Sequence, residues 1–167
     1  MKFKRNRAPA SVWTNPIHFL AFGLGTGASP YAPGTVGTLL GIPLVYLLSQ
    51  WPLWLYLVVT GFIVLLGTWV SDRTSKDIGV HDHGGIVIDE VAGFLVTMLA
   101  VPVNLWTVLI AFAAFRCFDI IKPWPIGWLD EKVHGGIGIM LDDLLAGVYG
   151  LLVIWLVIWI FPNLAQV

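Results

Sequence analysis

The sequence predicts an all-α membrane protein, a polytopic helical bundle of about five spanning or half-spanning helices behind a Gly/Pro-rich N-terminal interfacial segment. Three observations predict it. The 167 residues are 57% AVILMFWYC and 11% charged, with nine Trp and a mean hydropathy of +0.84, far from the roughly 45–50% apolar and 25% charged of a soluble domain. No formal charge occurs from Ala8 to Ser71, from Val91 to Phe115 or from Leu144 to Val167, runs of 64, 25 and 24 residues. All charge therefore falls in three islands, Met1–Arg7, Asp72–Glu90 and Arg116–Asp143, separated by stretches long enough to supply the ~20 apolar residues that cross a hydrocarbon core of about 30 Å.

A chain of this length supports about one domain, and residues 1–167 are read as a single integral-membrane domain. The formal charge of −1 gives no basic excess with which to hold nucleic acid. The single cysteine, Cys117, excludes an intrachain disulfide framework and a multi-cysteine metal site. The cationic start at Lys2, Lys4, Arg5 and Arg7 is not followed by a short apolar core with a small-residue cleavage site, so no removable signal peptide is expected.

The cations of all three islands are expected on the cytoplasmic side, so each uncharged stretch between islands must cross an even number of times. The first does so as Gly34–Gln50 and Leu53–Val70, turning at Trp51-Pro52. The second does so as two short helices, Ile86–Val101 and Asn104–Ile121, turning at Pro102-Val103-Asn104, where Pro and Asn favour a turn. The rival is one continuous span, Val91–Phe115. The last stretch, Leu144–Phe161, is one span that leaves the C-terminus outside. Trp51, Trp54, Trp106, Trp155 and Trp159 then form an outer aromatic belt, and His18 and Cys117 are packing residues.

The hairpin fixes depths. At 1.5 Å rise per residue, Asp89 lies about 20 Å before Pro102 and Asp119 about 22 Å beyond Asn104, with Glu90 and Arg116 both near 18 Å. Asp142 and Asp143 reach the same level at the start of the final span. Asp89, Glu90, Asp119, Asp142 and Asp143 are thus expected as a carboxylate ring at the cytoplasmic boundary. Such a ring repels itself unless something positive sits in it, and a hard divalent cation, Mg²⁺ with Mn²⁺ as substitute, prefers oxygen ligands of this kind. The plainer reading makes these acids helix N-terminal charges, with Asp142 or a neighbour as a cap. Ionisable groups at membrane depth are costly and usually functional.

Three irregular stretches surround the ring. His81-Asp82-His83-Gly84-Gly85 can coordinate metal or pass protons to a leaving group, or be a solvated turn. Gly23–Thr38 is dense in Gly, Pro and hydroxyls. Its glycines and a helix N-terminus near Thr35 can offer backbone N–H groups to a phosphate, with Ser29 and Thr35 as candidate substrate contacts, or it is a small-residue connector that permits tight packing. It is neither a Walker loop nor a dinucleotide fingerprint. Lys122-Pro123-Trp124-Pro125 ends the preceding helix, and Lys122 and Arg116 can hold a phosphate oxygen as charge clamps.

Four ordered motifs carry a family resemblance: Ser29-Pro30-Tyr31-Ala32-Pro33-Gly34-Thr35-Val36-Gly37-Thr38; Gly79-Val80-His81-Asp82-His83-Gly84 running into Asp89-Glu90; Arg116-Cys117-Phe118-Asp119-Ile120-Ile121-Lys122-Pro123-Trp124-Pro125; and His134-Gly135-Gly136-Ile137-Gly138-Ile139-Met140-Leu141-Asp142-Asp143. Together they resemble the bacterial phosphatidylglycerophosphatase A family over nearly the whole chain. The resemblance implies an all-helical, Mg²⁺-dependent phosphatase of the bacterial inner membrane. Its N-terminus and active site would be cytoplasmic, and it would convert phosphatidylglycerophosphate to phosphatidylglycerol for cardiolipin synthesis. On that reading the five acids hold one or two Mg²⁺, Arg116 and Lys122 add positive charge, and His81 or His83 protonates the departing glycerol oxygen. The nucleophile is water or a carboxylate. Cys117 lacks a Cys-x₅-Arg context for a cysteinyl-phosphate. The alternative is a small carrier binding a cation on its acids, which predicts midplane acids and repeat symmetry; the chain shows no internal repeat.

Overall fold

The computed structural model describes residues 8–80 and 83–166, and every residue of regular structure among them is helical. The order is α1 (Pro16–Ala21), α2 (Pro33–Ser49), α3 (Leu53–Ile78), α4 (Ile88–Thr97), α5 (Leu105–Ile121), α6 (Ile126–Lys132) and α7 (Gly135–Ile160). Short 3-10 turns lie at Ala10–Trp13, Thr26–Ala28 and Pro162–Ala165. The cationic tail at residues 2–7, with His81 and Asp82, lies outside the described residues.

α4 is the hub. It packs most extensively on α7, then on α2 and α3, and seven of its ten residues are buried: Asp89, Val91, Ala92, Gly93, Phe94, Leu95 and Thr97. At ten residues it is about 15 Å long, half the thickness of a bilayer core. Its neighbours each bury one stripe at helical spacing. In α2 the stripe is Gly34, Gly37, Thr38, Gly41, Val45 and Leu48; in α7 it is Gly136, Ile139, Met140, Asp143, Ala146, Gly147, Gly150 and Ile154. The small residues in those stripes let backbones approach closely. A Cβ on Gly41 would lie 2.9 Å from the Phe94 ring, and one on Gly37 would lie 2.5 Å from Val87 Cβ.

The expected hairpin is present and the single span Val91–Phe115 is not. The chain breaks between Thr97 and Leu105, with Ala100 at φ 55°, and α5 restarts on a capping box. Asn104 Oδ1 accepts the Trp106 and Thr107 N–H groups, and Thr107 Oγ1 accepts the Asn104 N–H, all at 3.0 Å. Asn104 Nδ2 also donates to the Leu164 carbonyl at 2.7 Å, which places the α4–α5 turn beside the C-terminal 3-10 turn. At the opposite end, Glu90 of α4 meets Arg116 of α5, and Lys122 beyond α5 meets Asp142 of α7. Both charge islands within the described residues therefore collect at one end of the bundle, while Trp51, Trp106 and Trp159 stand exposed toward the other.

Two helices are long and apolar enough to cross a membrane, α3 and α7. Only 22% and 28% of their apolar windows are buried inside the protein, whereas the core helix of a soluble protein would be mostly buried.

Several elements differ from expectation. α4 covers Ile88–Thr97 and not Ile86–Val101, because Val87 is its N-cap and the chain leaves the helix at Met98. α3 runs on past Val70 to Ile78, its last turns carrying the i,i+4 pairs Asp72–Lys76 (2.6 Å) and Arg73–Asp77 (3.2 Å), which support an exposed helix end. α6 was not expected. α7 begins nine residues before Leu144, at Gly135, so Asp142 and Asp143 lie two turns inside the helix and neither is a cap; the N-cap position is His134. The N-terminal segment docks on the end of α3: His18, buried, places Nδ1 2.9 Å from Ser11 Oγ and Nε2 3.2 Å from Asp77 Oδ2.

Candidate active site

Asp89 and Glu90 occupy the first turn of α4, where two carboxylates are favoured by the positive end of the helix dipole. Their partner is Asp143, brought in by a close backbone approach of α7 to α4: a Cβ on Gly93 would lie 2.6 Å from the Asp143 carbonyl oxygen, and a Cβ on Gly147 would overlap the Gly93 carbonyl. Oxygen atoms of Asp89, Glu90 and Asp143 all lie within 4.8 Å of one another. Asp89 and Asp143 are 7% and 3% exposed. Asp119, near the end of α5, hydrogen-bonds Asp143, and Asp89 hydrogen-bonds Glu90. Carboxyl groups held this close require a shared proton or a cation between them.

The donor set fits a hard divalent cation. Glu90 Oε2 and Asp143 Oδ1 are buried oxygens with no hydrogen-bond partner, which is costly unless something accepts their lone pairs. All three residues offer the oxygen ligands that Mg²⁺ and Mn²⁺ prefer.

Arg116 forms the second wall. Its Nη1 lies 2.5 Å from Asp119 Oδ2, 3.8 Å from Glu90 Oε1 and 3.5 Å from Thr38 Oγ1, and its Nε is buried without a partner. The N-terminus of α2 closes this side. The first turn of a helix has N–H groups with no intrahelical acceptor, and in this first turn a Cβ on Gly34 would overlap Glu90 Oε1 and come within 3.0–3.1 Å of the Arg116 guanidinium.

The expected ring of five acids is thus brought together in part. Asp89, Glu90 and Asp143 converge and Asp119 adjoins them, but Asp142 turns away. Successive residues on a helix point about 100° apart, and Asp142 Oδ2 instead accepts from Lys122 Nζ at 2.6 Å. Lys122 Nζ also lies 2.8 Å from Asp130 Oδ1 of α6, so the expected phosphate clamp is engaged by two carboxylates. Burial works against the Lys122 ammonium, but its hydrogen bonds to Asp130 and Asp142 outweigh burial and hold its pKa above the ordinary lysine value.

The Ser29 hydroxyl donates to the Tyr31 carbonyl at 2.8 Å and closes a local turn. Thr35 is half-buried beside Gly34 in the first turn of α2. His83 packs on Phe22 with ring centroids 5.5 Å apart, and its Nδ1 accepts the Gly85 N–H at 3.1 Å. His81 lies outside the described residues. Cys117 is exposed. A cavity of about 650 Å³ between α3 and α7 is lined by Trp69, Asp72, His134 and Met140 among others and by none of the clustered acids.

Sequence reasoning missed Gly93, Gly147 and Asp130, and read Gly34 only as one of the glycines of Gly23–Thr38. A signal for the glycines was available in the small-residue spacings Gly34–Gly37–Gly41 and Gly93–Thr97, of the kind that marks close helix contacts. Asp130 had none, because its role depends on where α6 docks.

The family model for phosphatidylglycerophosphatase A matches residues 19–158. The chain is 49% identical over 136 residues to phosphatidylglycerophosphatase A of Escherichia coli, covering 81% of this chain and 79% of that protein. It is 48% identical over 143 residues to the protein of the same name from Haemophilus influenzae, covering 84% and 88%. A protein from Bacteroides thetaiotaomicron provisionally named phosphatidylinositol-3-phosphatase is 40% identical over 146 residues, covering 83% and 91%. No solved structure matches the chain. A match that spans most of the chain, residues 19–158, makes this protein a member of the phosphatidylglycerophosphatase A family.

Proposed function

We propose that the protein is a membrane-embedded, Mg²⁺-dependent phosphatase that hydrolyses phosphatidylglycerophosphate to phosphatidylglycerol and phosphate, supplying the route to cardiolipin, with its acids facing the cytoplasm of a bacterial inner membrane. The observation that carries this reading is the convergence of Asp89, Glu90 and Asp143 beside the α2 N-terminus. Two relatives named for this activity support the substrate. A cation carrier has no comparable support.

Asp89, Glu90 and Asp143 would hold the cation, Mg²⁺ or its substitute Mn²⁺, with Asp119 beside Asp143. When bound, the ion neutralises charge on the phosphate oxygens and lowers the cost of the attack. The Gly34 and Thr35 amides donate to a phosphate oxygen from the start of α2. Arg116, held between Glu90 and Asp119, supplies a fixed positive charge where the transferring phosphoryl group develops negative charge. Water gives up a proton to one of the clustered carboxylates and adds to phosphorus, the bond from phosphorus to the glycerol oxygen breaks, and that oxygen takes a proton. His83 is the candidate donor through the Nε2 proton of its imidazolium form; in the neutral ring Nδ1 accepts the Gly85 N–H, so charging the ring opens that contact.

The test is phosphate release by the detergent-solubilised protein given phosphatidylglycerophosphate, before and after EDTA and after Mg²⁺ is restored. Release that stops with EDTA and returns with Mg²⁺ is the expected result. Metal-independent turnover, or none, overturns the reading, and faster release from phosphatidylinositol 3-phosphate moves the substrate to an inositol lipid.

A finer outcome follows from Gly34. Glu90 can swing aside to admit a methyl group at that position, so Gly34→Ala should fold normally yet lose activity on the order of 10-fold or more, as metal-site neighbours do. Wild-type turnover in Gly34→Ala would detach the α2 N-terminus from the reaction.

A further inference from the structure

We infer that Lys122 is a positioning residue that acts through Asp142, holding that carboxylate away from the acid cluster and fixing the face that α7 turns toward α4. The inference rests on the phosphatase reading and refines one part of it, the source of positive charge around the phosphate.

α5 ends at Ile121, and Lys122 is its C-cap in the left-handed region, φ 47°, with its N–H on the Phe118 carbonyl at 2.8 Å. A non-glycine residue in that conformation is uncommon. The turn brings Nζ to Asp142 Oδ2 at 2.6 Å and Asp130 Oδ1 at 2.8 Å, so one ammonium ties the end of α5 to α6 and α7. An ammonium has three N–H donors, and two are directed at carboxylates. Two negative groups already face this one cation, and a phosphate brought to it would meet net negative charge. Arg116 also faces two carboxylates, Glu90 and Asp119, but its guanidinium has five N–H donors and its Nε is buried with no partner.

What Lys122 does control is Asp142. Asp142 and Asp143 are neighbours on α7 and both buried, and only Asp143 belongs to the converging trio. Without the ammonium, Asp142 is a buried carboxylate whose charge acts on its neighbour Asp143. Such a group moves toward any available cation, and α7 turns with it. Removing one partner of a buried pair is damaging chiefly because of the charge left behind, so neutralising Asp142 should remove most of the damage.

A double-mutant cycle separates this from phosphate binding. Lys122→Met should lower kcat by roughly 10–100-fold, the range for residues that orient metal ligands, with KM little changed. Lys122→Met/Asp142→Asn should return to within a few-fold of Asp142→Asn alone, and Lys122→Arg should keep most activity. Mn²⁺ binding followed by electron paramagnetic resonance on the same proteins gives a readout independent of turnover. It should weaken in Lys122→Met and recover in the double variant. A double variant as impaired in both measurements as Lys122→Met, or a Lys122→Met protein equal to wild type, overturns the inference. If Lys122→Met does not fold, a folded double variant with recovered Mn²⁺ binding still supports it, and a double variant that also fails to fold overturns it. If wild type releases no phosphate from phosphatidylglycerophosphate, the phosphatase reading fails by itself while the Mn²⁺ cycle still decides the role of Lys122.

Discussion

Asp143→Asn is expected to lower turnover by more than about 100-fold, because even outer partners of metal ligands cost roughly 10–100-fold when removed, and to leave the fold intact. Asparagine keeps the volume of aspartate, so the α4–α7 contact is undisturbed. It removes one negative charge from a group of acids that repel one another, and its amide can donate to the oxygens of Asp119 or Asp89 that now surround Asp143. The metal-free protein should therefore unfold at a temperature no lower than wild type, while phosphate release nearly disappears. Opposite signs in those two measurements mark a site whose geometry is held against its own electrostatics for the sake of a reaction. Thermal unfolding in detergent with EDTA, beside phosphate release with Mg²⁺, measures both. Full turnover in Asp143→Asn would mean that the cluster is not the active site, and an unfolded protein would mean that Asp143 is structural.

The sequence carried the hairpin because its signal is local. Pro102 and Asn104 interrupt an apolar run too short to cross twice as long helices, and Asn104 with Thr107 makes the cap that restarts α5. From that break, simple rise-per-residue arithmetic brought Glu90 and Arg116 to one level, and the two side chains do meet. The same arithmetic could not show azimuth. Asp142 and Asp143 were grouped because they share a depth, yet the 100° step between them sends one to Lys122 and the other to α4. The start of α7 was misplaced for a related reason. Two adjacent acids resemble the polar end of a span, but inside this bundle they face other helices and the helix continues outward for two more turns to Gly135. α3 outran expectation in the same way, since charges at Asp72, Arg73, Lys76 and Asp77 pair along the helix instead of ending it. α6, and with it Asp130, depends on a docking that no periodicity records.

The glycines of the α4–α7 contact were equally silent in a hydropathy reading, and the second large effect is expected there. A methyl group at Gly147 would overlap the Gly93 carbonyl oxygen and lie 3.1 Å from Val96 Cβ. That oxygen belongs to the backbone of a buried helix and accepts from Thr97 Oγ1 at 3.0 Å, so it cannot swing aside as a side chain would. α7 must lift from α4 instead. Asp143 sits one turn before Gly147, its own carbonyl already close to Gly93, and it moves with the helix. Gly147→Ala should therefore cost about 1–3 kcal/mol of stability, as overpacked cores do. Turnover should fall on the order of 100-fold, because displacements near 1 Å are enough to cost that much. Gly61→Ala is the matched control: Gly61 lies on α3 with nothing within 4 Å of the added Cβ, and alanine is the better helix former by about 1 kcal/mol, so that variant should be as active as wild type and at least as stable. If Gly147→Ala matches Gly61→Ala in unfolding temperature and phosphate release, the spacing between α4 and α7 does not set the geometry of the acids, and their convergence has some other cause.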